Sequence, residues 1–93
     1  MSIDYSKLPE HMQQAARDYI NHGVPPGGFL RAVLENDFKG AVGRADRTNA
    51  MRLKDWASWV YWEAPSQCQG SEKIVKAWIE QGGLKVPIAE RVK

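Results

Sequence analysis

Five cations, Lys39, Arg44, Arg47, Arg52 and Lys54, crowd one stretch of the chain, with Asp46 the one acid among them. Arg44 and Arg47 can meet a phosphate at a helix N-terminus, where free backbone N–H groups point outward. Such a group would suit a nucleotide, another phosphate ligand or a nucleic-acid backbone. Arg47, Arg52 and Lys54 do not share one helical face, and a solvated, locally basic surface is the commoner meaning of such a run. A second group is aromatic: Trp56, Trp59, Tyr61 and Trp62 lie close together in the sequence. Trp56 and Trp59 can face a core, but a small core cannot cover every side of one helix. At least one large ring is therefore exposed or covered by something else. Trp and Tyr are enriched at binding hot spots, so Trp59, Tyr61 and Trp62 are candidates for a partner or self interface. The competing expectation is that short helices and the C-terminal segment wrap the second face.

Catalytic chemistry finds little to work with. Glu35, Asp37, Asp46, His11 and His22 are the possible acids and bases, and an Asn36-Asp37 pair at a helix junction is far more often a cap than a base. Cys68 is the single cysteine. It precedes the last helix closely enough for the helix N-terminus to lower its pKa, yet with no nearby histidine it reads as an inert thiol. One cysteine permits no internal disulfide and no four-cysteine metal site, and the two histidines are in no ligand spacing. Pro25-Pro26-Gly27-Gly28 and Gly40 to Gly43 lack the Lys-Ser or Lys-Thr of a phosphate-binding loop, and no strand precedes them as a dinucleotide fingerprint requires. No enzyme activity, metal or cofactor is expected.

The elements that must position these residues are helical. The chain has 93 residues, 43% hydrophobic and 26% charged, with a net charge of +2. That is the size of one domain, residues 1–93, and it is not the profile of disorder. The charge is too balanced to imply nucleic-acid binding by itself. The N-terminus has no signal-peptide pattern and no apolar run approaches a membrane span, so a cytoplasmic protein is expected.

Pro9 and Glu10 open a helix over about 9–22, with Leu8, Met12, Ala15, Ala16 and Tyr19 as its stripe and Gly23 as its cap. After the Pro-Gly turn, Phe29, Leu30, Val33 and Leu34 mark a short helix. Asn36 or Asp37 caps another, with Phe38, Ala41 and Val42 inward. The longest helix is predicted over about 47–63, with Asp46 or Thr48 as N-cap and Leu53, Trp56, Ala57 and Val60 inward. Pro65 to Gly70 is a loop. Ser71 caps a last helix carrying Ile74, Val75, Trp78 and Ile79, ended by Gly82-Gly83. Residues 84–93, with Leu84, Val86 and Ile88 alternating around Pro87, form an extended tail, lying on a groove or frayed.

Three blocks resemble motifs of small, uncharacterised proteins of bacteriophages and prophages. They are Pro25-Pro26-Gly27-Gly28-Phe29-Leu30-Arg31-Ala32-Val33-Leu34-Glu35-Asn36-Asp37, Gly43-Arg44-Ala45-Asp46-Arg47-Thr48-Asn49, and Ala64-Pro65-Ser66-Gln67-Cys68-Gln69-Gly70-Ser71 followed by Trp78. The likeness covers roughly residues 8–83. It implies a phage accessory protein in the host cytoplasm, and it identifies no catalytic or binding residue. By analogy alone, such proteins bind a host protein, including as inhibitors of host defence.

The expectation is an all-α, compact four- to five-helix domain with short Gly and Pro turns. It would bind a host protein, itself, or both, through the aromatics of its longest helix. The alternative is a nucleic-acid or nucleotide binder using Lys39, Arg44, Arg47, Arg52 and Lys54.

Overall fold

A computed structural model of the chain describes residues 3–84. Among the described residues there are six α-helices, one 3-10 turn and no strand. The expected tail over 84–93 lies, beyond Leu84, outside the described residues. Helix α1 (Glu10–His22) follows Pro9 and ends at Gly23, whose φ of +66° is left-handed and whose N–H bonds to Tyr19 O at 2.9 Å. Its buried stripe is Ala16, Tyr19 and Ile20, with Leu8 just ahead of the helix and Met12 half-buried. Ala15 is exposed, contrary to the expected stripe. It sits about 100° round the helix from Ala16, beyond the edge of the covered face.

Helices α2 (Gly28–Leu34) and α3 (Phe38–Arg44) form a tight pair. Between them Asn36 takes a φ of +63°, the one positive value at a non-glycine residue described. Asparagine tolerates that region well, which is why α2 can stop there. Asp37 then caps α3, its Oδ1 accepting the Gly40 N–H at 3.0 Å. Helix α2 buries Phe29, Leu30, Ala32 and Leu34, but α3 buries only Ala41. Phe38 and Val42, expected to point inward, are exposed by 76% and 46%.

The predicted longest helix is two. Helix α4 (Arg47–Met51) is capped by Asp46, whose Oδ1 accepts the Asn49 N–H at 2.7 Å. Helix α5 (Leu53–Trp62) begins after Arg52, where φ falls to −115° and ψ rises to 20°. No residue type there forbids a continuous helix. The break goes with one tertiary bond of Arg52, whose guanidinium donates to the Lys7 carbonyl and also meets Asp55, three residues on, at 2.5 Å. Asn49 is 2% exposed, and its Oδ1 accepts the Trp56 indole N–H at 3.0 Å. Trp56 meets Phe29 and Trp59 edge-on, and Trp59 also packs on Tyr5.

Ser66–Cys68 is a 3-10 turn inside the expected loop. Ser71 then caps helix α6 (Glu72–Gln81) through an Ile74 N–H bond of 3.2 Å, and Gly82 ends it at a φ of +84°. Val75 and Trp78 are buried, while Ile74 is turned outward. Two bonds lock α6 and its preceding turn to α1: Tyr19 O–H to Cys68 O at 2.7 Å, and Trp78 indole N–H to Tyr19 O at 2.9 Å. The ends of α1 and α6 cross backbone to backbone. A Cβ on Gly83, at a φ of +72°, would stand 2.5 Å from Gly23 N. The Leu84 N–H continues the contact, bonding Ile20 O at 3.0 Å.

Candidate functional site

The face of α5 that periodicity assigns to the core does not wholly reach it. Trp56 is buried, but Leu53 and Val60 are half-buried and Ala57 is exposed. With Phe38, Ala41, Ala32 and Val33 opposite, these residues line a groove of about 500 Å³ between α2, α3 and α5. Buried Ala32, Ala41 and Trp56 form its floor, and the exposed rings of Phe38 and Tyr61 stand at its rim. The local sequence explains the shape. Alanine at 32, 41 and 57 leaves space where a larger aliphatic side chain would have filled it, and Gly40 keeps α3 slim beside Asp37 and Arg44. Polar groups are few: Asn36, Asp37 and Gln69. Gln69 stands at the groove because the Gly70 N–H is bonded to Leu34 O at 2.7 Å.

Tyr61 and Trp62, at 75% and 73% exposure, lie in T-shaped contact with ring centroids 4.8 Å apart. Holding two large rings in water without a covering partner wastes apolar area that a core would have used. Trp59 belongs elsewhere. It is 1% exposed, wedged between Tyr5 and Trp56, and offers no surface to a partner. The surface aromatics are therefore Tyr61 and Trp62 with Phe38, a residue that its spacing had assigned to the core. Only knowledge of what covers α3 could have moved Phe38 to the surface set.

The cations lie on several elements. Lys39 and Arg44 are on α3, Arg47 on α4, Arg52 at the junction and Lys54 on α5. Arg52 is spent on Asp55 and the Lys7 carbonyl. Arg44 lays its side chain along two glycines, where a Cβ on Gly28 would meet its Cδ at 2.9 Å. Lys39, Arg47 and Lys54 are exposed and, among the described residues, have no carboxylate within ion-pair distance.

Of the possible acids and bases, all but the exposed His22 are likewise engaged among the described residues. His11 Nε2 meets Asp46 Oδ2 at 2.9 Å, and Arg31 Nε meets Glu35 at 2.9 Å. The Asn49 backbone N–H, then the His11 side chain, hold the Asp46 carboxyl below the usual carboxylate range. Cys68 is buried, and burial pushes its thiol up to about 12, the reverse of activation by a helix N-terminus. Among the described residues, no three His, Cys, Asp or Glu side chains come together to hold a metal, and no helix is long and apolar enough to cross a membrane. No family model, curated relative or solved structure matches the chain.

Proposed function

We propose that this chain is a binding protein that docks a protein partner in the apolar groove between α2, α3 and α5. One observation carries the reading: residues whose spacing marks them for a core, Phe38, Leu53, Ala57 and Val60, line a groove that the described residues leave open. Grooves of a few hundred Å³ with apolar walls and few polar groups are where proteins take up side chains or ligands. The exposed Tyr61–Trp62 pair extends the apolar surface from the groove's rim. The resemblance to small bacteriophage proteins favours a host protein as the partner and the host cytoplasm as the place.

The test uses the tagged protein in a pull-down from bacterial lysate, alongside two surface variants. Ala57→Arg fills the groove from an exposed helical position where arginine is a good helix former. Trp62→Ala removes an exposed ring. Both should melt within a few degrees of the parent, because substitutions at exposed positions change stability by about 0.5 kcal/mol or less. Wild type should retain a stoichiometric protein that Ala57→Arg loses and Trp62→Ala holds more weakly. Undiminished capture by Ala57→Arg refutes the groove as the docking site. Capture that survives it but is lost in Lys39→Ala, Arg47→Ala or Lys54→Ala, with steep salt dependence, would move the function to the basic stretch.

A further inference from the structure

We infer that Trp59, Glu63, Arg52 and Arg17 form a docking site for a short peptide segment carrying an aromatic ring, and that the chain's own residues 3–7 occupy it as a displaceable strap. The site lies apart from the groove, since none of these four residues lines it. Its present occupant shows what it takes. The Tyr5 ring packs on Trp59, with centroids 5.8 Å apart, and the Arg17 guanidinium carbon stands 4.6 Å over the same ring. Aromatic rings pair favourably with both kinds of group. On either side of the ring the backbone is met once. Asp4 donates its N–H to Glu63 Oε1 at 2.9 Å, and the Lys7 carbonyl accepts from the Arg52 guanidinium. One ring, one backbone donor and one backbone acceptor are what any tyrosine-bearing segment can offer.

The strap is held in a way that lets it leave. Of residues 3–7 only Tyr5 is buried, while Asp4, Ser6 and Lys7 face water and Ile3 is half-buried. Both bonds that tie its backbone to α5 and the junction are solvent-exposed, so water can replace them at little net cost. Two further bonds, Ser6 N–H to Asp4 Oδ1 at 2.8 Å and Leu8 N–H to Tyr5 O at 3.0 Å, join the segment to itself and survive lifting. Beneath the strap the fit is incomplete. The buried Trp59 indole N–H has no acceptor among the described residues, and such a donor is satisfied as soon as water reaches it. Leu8 and Pro9 are buried and anchor the far end. Lifting therefore swings residues 3–7 about Leu8 and bares Trp59 beside Trp62, its neighbour three residues on along α5. A partner segment that brings a ring, and with it an acceptor for the Trp59 N–H, supplies what Tyr5 leaves open.

Exchange of the indole N–H protons into D2O, read by NMR on the full chain, tests whether the strap lifts. Trp56 and Trp78 are buried like Trp59, but their N–H groups are bonded inside the fold. The Trp59 proton should exchange at least about tenfold faster than either, at a rate that low urea leaves unchanged. Glu63→Ala cuts the Asp4 tie and should speed Trp59 further without moving the other two. Three equal rates, or three that rise together in Glu63→Ala, overturn the strap, because Trp59 is then reached only when the whole fold opens. The docking site is tested with the free peptide of residues 3–8. A tethered strap competes at an effective concentration in the millimolar range, so the full-chain Tyr5→Ala variant should bind the peptide at least about tenfold more tightly than the parent. The shift of the Trp59 indole signal reads this binding, and a peptide with alanine in place of its tyrosine should cause none. A folded Tyr5→Ala whose Trp59 signal ignores the peptide overturns the docking site. A Tyr5→Ala chain that does not fold overturns it too, since Tyr5 is then core rather than occupant.

Discussion

Three buried tryptophans differ in what their indole N–H groups meet, and that difference can be measured. Trp56 donates to the side chain of Asn49, itself 2% exposed. Trp78 donates to Tyr19 O, which also accepts the Gly23 N–H at 2.9 Å. The Trp59 N–H is buried with no partner among the described residues. Replacing each by Phe removes the same atoms from positions of 1–3% exposure, so the lost packing is similar in all three and cancels in the comparison. What remains is the hydrogen bond. Trp56→Phe strands the Asn49 carbonyl oxygen in the core, at a cost of about 1–3 kcal/mol. Trp78→Phe leaves Tyr19 O with its second donor, at a cost of about 1 kcal/mol. Trp59→Phe strands nothing and relieves a donor that was already unpaired. The stability order among the variants should be Trp59→Phe, then Trp78→Phe, then Trp56→Phe, with about 2 kcal/mol or more between the extremes. Urea unfolding followed by circular dichroism reads this directly. With a slope of about 1 kcal/mol per molar for a domain this small, the extreme midpoints should differ by about 2 M. A Trp59→Phe variant no more stable than Trp56→Phe refutes the accounting.

Gly83→Ala puts a methyl 2.5 Å from Gly23 N at a φ of +72°. The left-handed backbone alone costs about 1–2 kcal/mol, and the clash with fixed backbone raises the total to about 3 kcal/mol or more. A change in urea midpoint smaller than the first figure would mean that the crossing yields easily. Cys68, with its thiol pushed up to about 12 by burial, should resist iodoacetamide at pH 8 in the folded protein and react once urea unfolds it. Rapid labelling of the native chain, read by mass spectrometry, contradicts that burial. The Asp46 carboxyl is held below its ordinary value of 3.8 in the folded protein. The unfolded chain therefore binds the proton more readily, and the stabilisation is present above about pH 4 and lost as pH falls through the folded value. Asp46→Asn keeps a capping side chain and removes the charge. The melting-temperature gap between parent and Asp46→Asn should therefore hold above about pH 5 and begin to narrow as pH falls below about 4. A gap that stays constant as the pH is taken well below 4 refutes the assignment.

Where local chemistry decides, the sequence was legible. Gly23, Asp37, Asp46, Ser71 and Gly82 all end or begin helices as their side chains, or lack of one, require. The break at Arg52 was not, because it goes with a bond to the Lys7 carbonyl 45 residues away, and Met51-Arg52-Leu53 carries no breaker. Periodicity set Trp56 in the core but also turned Ala57 inward, where it is exposed, and left buried Trp59 among the interface candidates, because it could not say what would cover each face. Tyr5, ahead of the first helix, covers Trp59, whereas no described residue closes over Ala57 and Phe38. The site was therefore half visible. Tyr61 and Trp62 were named from their types, while the groove exists only because two separate segments leave a gap between them. Asn49 gave no signal at all, since a buried amide is indistinguishable in sequence from a solvated one until its tryptophan partner is known.

The crossing of Gly23 over Gly83 joins segments sixty residues apart in the chain, whereas α2 and α3 meet across a turn of three residues. Closing so long a loop is entropically slow to repay, so contacts of this kind form late. The helix pair and its neighbours can assemble before α6 arrives on α1. A substitution at Gly83 should therefore leave the refolding rate nearly unchanged and appear almost wholly as faster unfolding. The expected consequence is that the crossing of these two glycines acts on the lifetime of the folded chain more than on how fast it forms.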